Sequence, residues 1–367
     1  MRTEIEHPEL AGAGAGGGTV VLDDTTAATV KARGYWEAVG LRFRKDRVAI
    51  AGGVFIIVLI LAAFIGGPVA ASILGHGPND PYNNTINPVT GEQLNGGIDP
   101  ISNTPVGPLS VVDNAARLGI DPASPEAQGT TFFVLGGDGL LGRDMFLRIL
   151  YGAQTSLEVA VLSTIIVVIL GVITGLLAGY YRGAVDTVVS RLTDIAMAFP
   201  ALLFIIAVSA TVGEELNKVT FGFLAPGVFT LVLIFSIFGW FYPARIIRGQ
   251  VLSLREKEFI EAARMTGAGD WRIMRSHLLP HLVAPIIVYS TLIVASYITA
   301  EAGLSFLGLG IQAPTASWGN LLAEGPTFYL TQPWLMVWPG LMILLTTLAF
   351  NLLGDGLRDA FDPRHIS

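Results

Sequence analysis

The sequence of 367 residues contains no cysteine and few charged residues. Without cysteine, the chain can form no disulfide bond, cysteine-based zinc site, iron–sulfur cluster or thiol nucleophile. Charged residues make up 14% of the sequence and hydrophobic residues 52%, whereas an average soluble domain is about 25% charged. The net charge of −7 argues against a chain-wide surface for nucleic acid, which requires a basic face. We therefore expect an integral membrane protein with no nucleic-acid partner.

Motifs for common catalytic and cofactor sites are also missing. The sequence contains no G-x-x-x-x-G-K-[S/T] phosphate loop, no G-x-S-x-G nucleophile elbow and no H-E-x-x-H zinc motif. His277 and His281 have the i, i+4 spacing of a metal-binding pair, but Pro280 lies between them and no carboxylate is near in sequence. We therefore expect no catalytic, cofactor-binding or metal-binding residue in the chain.

Long uncharged runs are the dominant feature that is present. A helix needs about 20 mostly apolar residues to cross roughly 30 Å of hydrocarbon. Six runs have an apolar core of this kind, and they cover residues 48–74, 159–181, 195–212, 228–242, 283–300 and 335–353. A seventh uncharged window, 302–323, contains several polar residues and Pro314 and is interpreted as an irregular or re-entrant connection. The pattern predicts an all-α membrane protein with about six transmembrane helices.

The basic residues indicate how these spans are oriented. Most of the 22 lysine and arginine residues precede the first span, separate the second from the third, separate the fourth from the fifth, or follow the sixth. Cytoplasmic loops are enriched in lysine and arginine, so both termini are predicted to be cytoplasmic. Residues 75–150, 213–226 and 301–333 are then expected to face outward.

One ionisable residue, Glu301, stands at the end of the fifth predicted span. An ionisable residue inside or beside a membrane span is a candidate for a functional site. We expect either that Glu301 lines a transport pathway or that it has a structural role.

The loop between the fourth and fifth spans, residues 255–280, is long, charged and helical in pattern. Ile260, Ala263 and Gly267 recur at i, i+3 and i+7, which places unusually small side chains on one helix face. We expect that face to admit a second backbone or a partner surface closely. An amphipathic loop lying on anionic lipid headgroups is the alternative interpretation, and the acids of this loop weaken it because anionic lipid would repel them.

Glycines divide this loop into two helical segments. Gly267 and Gly269 are expected to end the first segment, and Gly267 is expected to need either a positive φ or a close contact. Asp270 is the predicted N-cap of a second helix that begins at Trp271. Leu279-Pro280 is predicted to end that helix before the fifth span. The loop is therefore predicted to be a helix–turn–helix that is suited to docking.

Three elements of this loop, Glu261-Ala262-Ala263, Gly267 and Leu279-Pro280, resemble the EAA signature of the membrane subunits of bacterial ABC importers. The signature consists of EAA, three residues, glycine, nine residues, isoleucine, any residue and Leu-Pro, and the spacing here fits throughout. His277 departs from the signature because it stands at the isoleucine position, a change that the oligopeptide and dipeptide branch commonly tolerates. Residues 255–280 are called the EAA loop below.

Further segments resemble the same branch, whose members handle dipeptides, oligopeptides and nickel. They are Gly142-Arg143-Asp144 with Arg148 and Tyr151-Gly152-Ala153, residues 301–310 with Ser317-Trp318-Gly319, and residues 354–360 with Asp362-Pro363-Arg364. The resemblance covers about 20–75 and 137–367. It implies the ABC type-1, MetI-like importer permease fold and the "C"-type membrane subunit of such a system.

The span pattern and the resemblance together divide the chain into five parts. Residues 1–47 form a cytoplasmic N-terminal tail, of which 1–30 are expected to be disordered because of their glycine- and alanine-rich composition. Residues 48–74 form the first transmembrane helix, and residues 75–140 form a loop-rich external insert. Residues 141–354 form the transmembrane permease core with the EAA loop, and residues 355–367 form a cytoplasmic C-terminal tail.

The resemblance implies a function in solute import at the bacterial cytoplasmic membrane. The EAA loop would couple the chain to a cytoplasmic ATPase, so ATP would be bound by partner subunits and not by this chain. The implied partners are a second homologous permease, two ATP-binding cassette ATPase subunits and an external solute-binding protein. The chain would be no enzyme. It would form half of the translocation pore in the lipid bilayer and transport dipeptides or oligopeptides by alternating access.

Two alternatives stay open at this point. The same type of permease also handles nickel chelates or another small solute. A secondary transporter or a membrane scaffold without an ATPase partner has a similar composition, but a secondary transporter should carry ionisable groups well inside several spans. The predicted spans are almost free of such groups.

Overall fold

The computed structural model describes residues 35–87, 90–121, 124–139, 141–217 and 227–362. The predicted disorder of residues 1–30 therefore falls outside the described residues. The N-terminal elements are α1 (Tyr35–Phe43), α2 (Arg47–Leu61), α3 (Gly67–Leu74), β1 (Ser110–Asp113) and β2 (Thr130–Phe133). The helices that follow are α4 (Met145–Tyr181), α5 (Gly183–Ala198), α6 (Ala201–Asn217), α7 (Val228–Gly239), α8 (Phe241–Leu254), α9 (Glu258–Met265), α10 (Asp270–Ile273), α11 (Leu279–Phe306), α12 (Trp318–Glu324) and α13 (Trp334–Phe361).

Several of these helices are continuous and form the candidate membrane spans. Within the described residues, five helical stretches are long and apolar enough to cross a membrane, and they are Arg47–Leu74, Met145–Tyr181, Val228–Leu254, Asp270–Phe306 and Trp334–Phe361. The pair α5 and α6 meets the same criterion only as a bent unit, which raises the number to six. The all-α membrane fold with about six transmembrane helices is thereby confirmed.

The predicted span over residues 195–212 is not one continuous helix. The chain breaks between α5 and α6, and the helix direction changes by 80°. Pro200 explains the break, because proline lacks the N–H of a helical hydrogen bond and its ring clashes with the preceding turn. Phe199 accordingly has an extended backbone, with φ −91° and ψ 141°, which is typical of the residue before a proline.

The prediction that Leu279-Pro280 ends a separate helix is also wrong. The helical path is continuous from Asp270 to Phe306, and Pro280 lies in the first turn of α11, where a missing N–H is tolerated. A π-helical turn, Met274–Leu278, precedes it. This wider turn accommodates the proline within one helical path.

Helix α4 packs on α5, α7, α8 and α11 and approaches α8 most closely. Three of its glycines, Gly171, Gly175 and Gly179, face α8 at four-residue spacing. A Cβ atom on Gly175 would lie 2.5 Å from the carbonyl oxygen of Ala244, so this backbone approach requires glycine. Small residues serve this purpose in membranes, where lipid tails are as apolar as side chains and association depends on close packing.

Two apolar clusters hold the opposite ends of the spans. One surrounds the fully buried Trp318 of α12 and includes residues of α2, α4, α11 and α13. The other lies where the EAA loop joins the spans and includes Leu176 of α4, Ile247 of α8 and Leu282 of α11. Both clusters therefore tie α4 to α11, one at each end of the pair.

The predicted insert forms a small unit with its own apolar core. Strands β1 and β2 pair antiparallel, with Ser110 opposite Phe133, and Val112 and Phe133 pack with Tyr82 beneath them. At the start of α4, Gly97 lies so close to the backbone of Gly142 that neither position has room for a Cβ atom. The insert is thus fixed to the helices and is not a freely attached loop.

We expect the substitution Gly175→Val to destabilise the protein by about 1–3 kcal/mol, because the added side chain would force α4 away from α8. In detergent, the purified variant should lose its monodisperse gel-filtration peak at a lower temperature than the wild type. Gly249→Val is the matched control, since Gly249 lies on α8 with no atom within 4 Å of its Cβ position. Equal melting temperatures for the two variants would contradict the role assigned to Gly175.

Candidate functional site

Helix α9 of the EAA loop has a buried face that contacts the chain's own spans. Ile260 and Ala263 on this face are buried in the cluster that contains Leu176, Val251 and Leu282. Of the two expected surfaces, a second backbone or a partner, the structure shows the first for Ile260 and Ala263, because the chain's own α4, α8 and α11 cover this face. The face instead fixes α9 to the ends of three spans.

The opposite side of α9 and α10 is exposed. It carries Glu261 and Ala262 of the signature, together with two large apolar side chains that the motif does not include. Met265 is 83% exposed and Trp271 is 68% exposed. Exposed apolar side chains within a polar surface mark interaction sites, and tryptophan is a frequent anchor of such sites. Their position on the polar side of an amphipathic loop is the sequence signal that could have identified them.

Gly267 ends α9 in the left-handed conformation, with φ +81°. Its N–H donates to the Arg264 carbonyl at 2.9 Å, and the N–H of Ala268 donates to the Ala263 carbonyl at 3.0 Å. This pair of hydrogen bonds is a Schellman motif, which commonly requires glycine at this position. The predicted positive φ is confirmed. A close contact is not the reason for glycine here, because no atom lies within 4 Å of the Cβ position.

Asp270 does not have the predicted role of N-cap. The N-cap of α10 is Gly269, and Asp270 is the first helical residue. The Asp270 carboxylate instead accepts a hydrogen bond from the Tyr180 hydroxyl at 2.7 Å. The Asp270 side chain, which the local sequence pattern assigned to capping, therefore makes a tertiary contact with Tyr180 at the end of α4.

Glu301 lies at the other end of the spans and is fully buried, with 0% exposure. Its carboxylate accepts hydrogen bonds from the Ser156 hydroxyl of α4 and the Ser305 hydroxyl of α11, each at 2.7 Å. The Ser305 hydroxyl oxygen also accepts the N–H of Ile311 at 2.9 Å. These contacts join α11 to α4 and to the chain that leads to α12.

Trp318 adds a second link at the same level. Its indole N–H donates to the Ile149 carbonyl at 3.1 Å, and its backbone N–H donates to the Ser156 hydroxyl oxygen at 3.4 Å. A Cβ atom on Gly152 would lie 3.3 Å from the Trp318 ring. The segments that resemble importer permeases, 151–153 and 317–319, thus contact each other directly.

Four charged side chains form a cluster beside the start of α4. Three of them are buried, and the fourth, Glu324, is partly exposed. The Asp138 carboxylate lies 2.7 Å from the guanidinium of Arg143 and 2.6 Å from that of Arg148. Arg143 also contacts the Glu324 carboxylate of α12 at 2.9 Å. Burial and the nearby Asp138 raise the pKa of Glu324, whereas the two arginines oppose that shift. Two acids and two bases balance in charge, as buried ions require.

Asp144, the acid of the Gly-Arg-Asp segment, begins α4 as its N-cap. Its carboxylate accepts the N–H of Phe146 at 2.8 Å and lies 3.1 Å from His76 Nε2. His76 follows α3 in the chain, so this pair joins the end of the first span to the start of the second. Within the described residues, no group of three or more histidine, aspartate or glutamate side chains is placed to hold a metal ion.

Comparison with known families decides the assignment of the chain. The model for "Binding-protein-dependent transport system inner membrane component" matches residues 171–367, and the model for "N-terminal TM domain of oligopeptide transport permease C" matches residues 34–92. The chain belongs to this family of transport permeases. Residues 93–170, which include most of the insert, lie between the two matched regions.

Individual relatives agree with this assignment. The glutathione transport system permease protein GsiD of Pectobacterium atrosepticum is 36% identical over 329 residues, which are 90% of this chain and 91% of that protein. The dipeptide transport system permease protein DppC of Alkalihalophilus pseudofirmus is 43% identical over 223 residues, 61% of this chain and 69% of that protein. A solved chain of the inward-facing MetNI methionine ABC transporter has 18% identity and a TM-score of 0.48, over 59% of this chain and 98% of that chain.

In this permease, the predicted site residues fall at two separate ends. Glu261, Ala262 and Gly267 lie on the exposed side of the EAA loop, whereas Ala263 faces the spans. Leu279 and Pro280 lie at the base of the loop, where α11 begins. Glu301 is at the far end of α11, inside the hydrogen-bond network with Ser156.

We expect Glu301→Leu to lower the melting temperature of the detergent-purified permease more than Glu301→Gln does. Leucine leaves the buried Ser156 and Ser305 hydroxyls without their acceptor, at a cost of about 1–3 kcal/mol for each unsatisfied group, whereas glutamine keeps one acceptor oxygen. Asp355→Leu is the control, because Asp355 is exposed on α13. A Glu301→Leu variant that melts with the wild type would rule out the structural role.

Proposed function

We propose that this permease is a membrane subunit of an ATP-driven importer and that its EAA loop docks a partner ATPase. The proposal is supported by the two sides of the loop. Ile260 and Ala263 pack on three spans, whereas Glu261, Met265 and Trp271 are exposed on the side that points away from the spans. A partner bound to the exposed side would therefore act on the spans through α9, which is packed against them. The phosphate-loop motif is missing from the sequence, so ATP hydrolysis is assigned to the partner.

The assembly that fits this role has two permeases, two ATPases and one external solute-binding protein. Closure of the ATPases on ATP would move both EAA loops and shift the pore from inward-open to outward-open. Substrate influences such a cycle only through its different affinity for the two states. This chain supplies half of the pore, and a second homologous permease supplies the other half.

Peptides are the proposed substrate class. The names of the relatives support this choice, since one is a dipeptide permease and another a permease for glutathione, itself a tripeptide. Nickel chelates or another small solute are the alternative within the same type of permease. A secondary transporter is disfavoured because Glu301, an acid within the described spans, is enclosed by hydrogen bonds to Ser156 and Ser305 and is not free to bind an ion.

We place the permease in the bacterial cytoplasmic membrane with both termini in the cytoplasm. The support is the concentration of lysine and arginine at the end that bears the EAA loop. The insert would then face outward. This orientation puts the docking side of α9 in the compartment that contains ATP.

We expect Glu261→Lys and Gly267→Val to lower solute uptake roughly tenfold while the permease stays folded in the membrane. Lysine reverses the charge of the docking side, and valine disfavours the positive φ that the turn requires. The measurement is solute uptake by vesicles that contain the complete complex. The complex consists of this permease and the second permease, ATPase and binding-protein subunits encoded beside it. Glu92→Lys in the insert is the control, because it makes the same charge reversal at an exposed position. Normal uptake by both loop variants would sink the docking assignment.

The insert is the proposed contact for the solute-binding protein. The outer side of its β-strand pair carries exposed Leu109, Val111, Phe132 and Val134, although water would favour polar residues there. Deletion of residues 75–140 is an unsuitable test, because Gly97 and the Asp138 cluster fix the insert to α4. Substitution of the exposed pair is the sharper experiment.

We expect the double substitution Val111→Ser and Phe132→Ser to weaken binding of the solute-binding protein and to lower uptake, because it removes a cross-strand apolar pair. Binding is measured by surface plasmon resonance with the permease in nanodiscs. Ile101→Ser is the control, since Ile101 is exposed in the insert outside the strand pair. Unchanged binding by the double variant would remove the insert from the docking surface.

A further inference from the structure

Tyr180, near the end of α4, contacts the EAA loop at three places. Its hydroxyl donates to the Asp270 carboxylate at 2.7 Å. Its backbone carbonyl accepts a hydrogen bond from the Arg255 guanidinium. The Arg264 guanidinium lies 5.7 Å from the centre of its ring, within range of a cation–π interaction. Tyr180 itself is 5% exposed, whereas Arg264 and Asp270 are exposed at the edge of the contact.

The three contacts divide among different parts of the loop. Arg255 precedes α9, Arg264 lies in its last turn, and Asp270 begins α10. One residue of α4 thus holds the loop on both sides of the Gly267 turn. Apolar packing is non-directional, so Ile260 and Ala263 alone would allow α9 to slide or rotate on the spans. Hydrogen bonds have strict geometry, and a hydroxyl bound to a carboxylate is among the stronger kinds.

Helix α4 continues from Tyr180 to the opposite end of the spans. It carries the glycine contact with α8 at Gly175, and nearer its start it carries Ser156, which binds Glu301. A displacement of the EAA loop that is held at Tyr180 would therefore move the helix that contacts α8 and α11. The neighbouring Tyr181 makes an edge contact with the Tyr180 ring, but its own side chain is 48% exposed.

We infer that Tyr180 is a positioning residue that transmits movement of the EAA loop to α4, and that its hydroxyl bond to Asp270 is the essential contact. The inference rests on the proposed function, since it assumes that an ATPase moves the loop. It adds the route by which that movement reaches the spans. The apolar face of α9 then holds the helix against the spans, whereas the Tyr180 contacts fix the orientation of the EAA loop relative to α4.

The absence of native cysteine allows a direct test. The substitution Ile173→Cys, at an exposed position on α4, takes one spin label in the purified permease, which is then assembled with its partner subunits in vesicles. A non-hydrolysable ATP analogue should change the spectrum of this label. In the Tyr180→Phe background, the ratio of the ATP-dependent to the nucleotide-free spectral component should fall about three- to tenfold. The amount of ATPase that copurifies should stay the same, because the exposed side of the loop, where the ATPase is proposed to dock, is unchanged.

Asp270→Ala should lower the same ratio. The double variant Tyr180→Phe, Asp270→Ala should lower it no further than either single variant, because both substitutions remove the same hydrogen bond. Tyr181→Phe is the matched control and should respond as the wild type does. The inference is overturned if Tyr180→Phe keeps the wild-type ratio, if it loses ATPase instead, or if the label never responds to nucleotide. The Glu261→Lys variant distinguishes failure of the proposed docking from failure of the route through Tyr180. If Glu261→Lys keeps both the bound ATPase and the label response, the proposed docking is wrong. If Glu261→Lys is impaired while Tyr180→Phe behaves as the wild type, only the route through Tyr180 is wrong.

Discussion

The close backbone approach of α4 and α8 fixes the positions of the neighbouring spans and of the EAA loop. Apolar side chains gain little from burial among lipid tails, so two membrane helices stay together through surface fit. Gly171, Gly175 and Gly179 provide that fit along the contact with α8. Since α8 leads directly into the EAA loop, the same glycines also determine where α9 lies. The position of the loop is thus a consequence of packing deep within the spans.

Charged side chains at the insert end of the helices are paired. At the insert end, Asp138 and Glu324 balance Arg143 and Arg148, while Asp144 caps α4 and contacts His76. Removing either partner of such a pair would leave an uncompensated buried charge, which is far more costly than replacing both. The cluster joins the insert, α4 and α12 without exposing charge to the apolar interior. Its geometry gives the Gly-Arg-Asp segment a structural explanation.

The spans could be predicted from the sequence because charge is expensive in a bilayer and its absence marks each helix. The same reasoning did not locate the break at Pro200, since hydropathy does not register a missing N–H, and the predicted span over 195–212 is interrupted there. Gly267 was predicted correctly because a turn after α9 restricts φ locally. The surface that covers Ile260 could not be identified and Asp270 was misassigned, because their partners, Leu176 and Tyr180, are distant in sequence. The G-x-x-x-G spacing from Gly171 to Gly179 was available and would have revealed the α4–α8 contact.

The two hydrogen bonds between α4 and the helix that runs from Asp270 to Phe306 have a mechanical consequence. One joins Tyr180 to Asp270, and the other joins Ser156 to Glu301, so the antiparallel helices are braced at both ends. At 1.5 Å per residue, the braced length is about 36 Å on α4 and about 46 Å on its partner. The longer path contains the π-helical turn Met274–Leu278. A slip by one helical turn, about 5.4 Å, would break both braces together, so the pair is built to tilt as a frame and resists shear along its length.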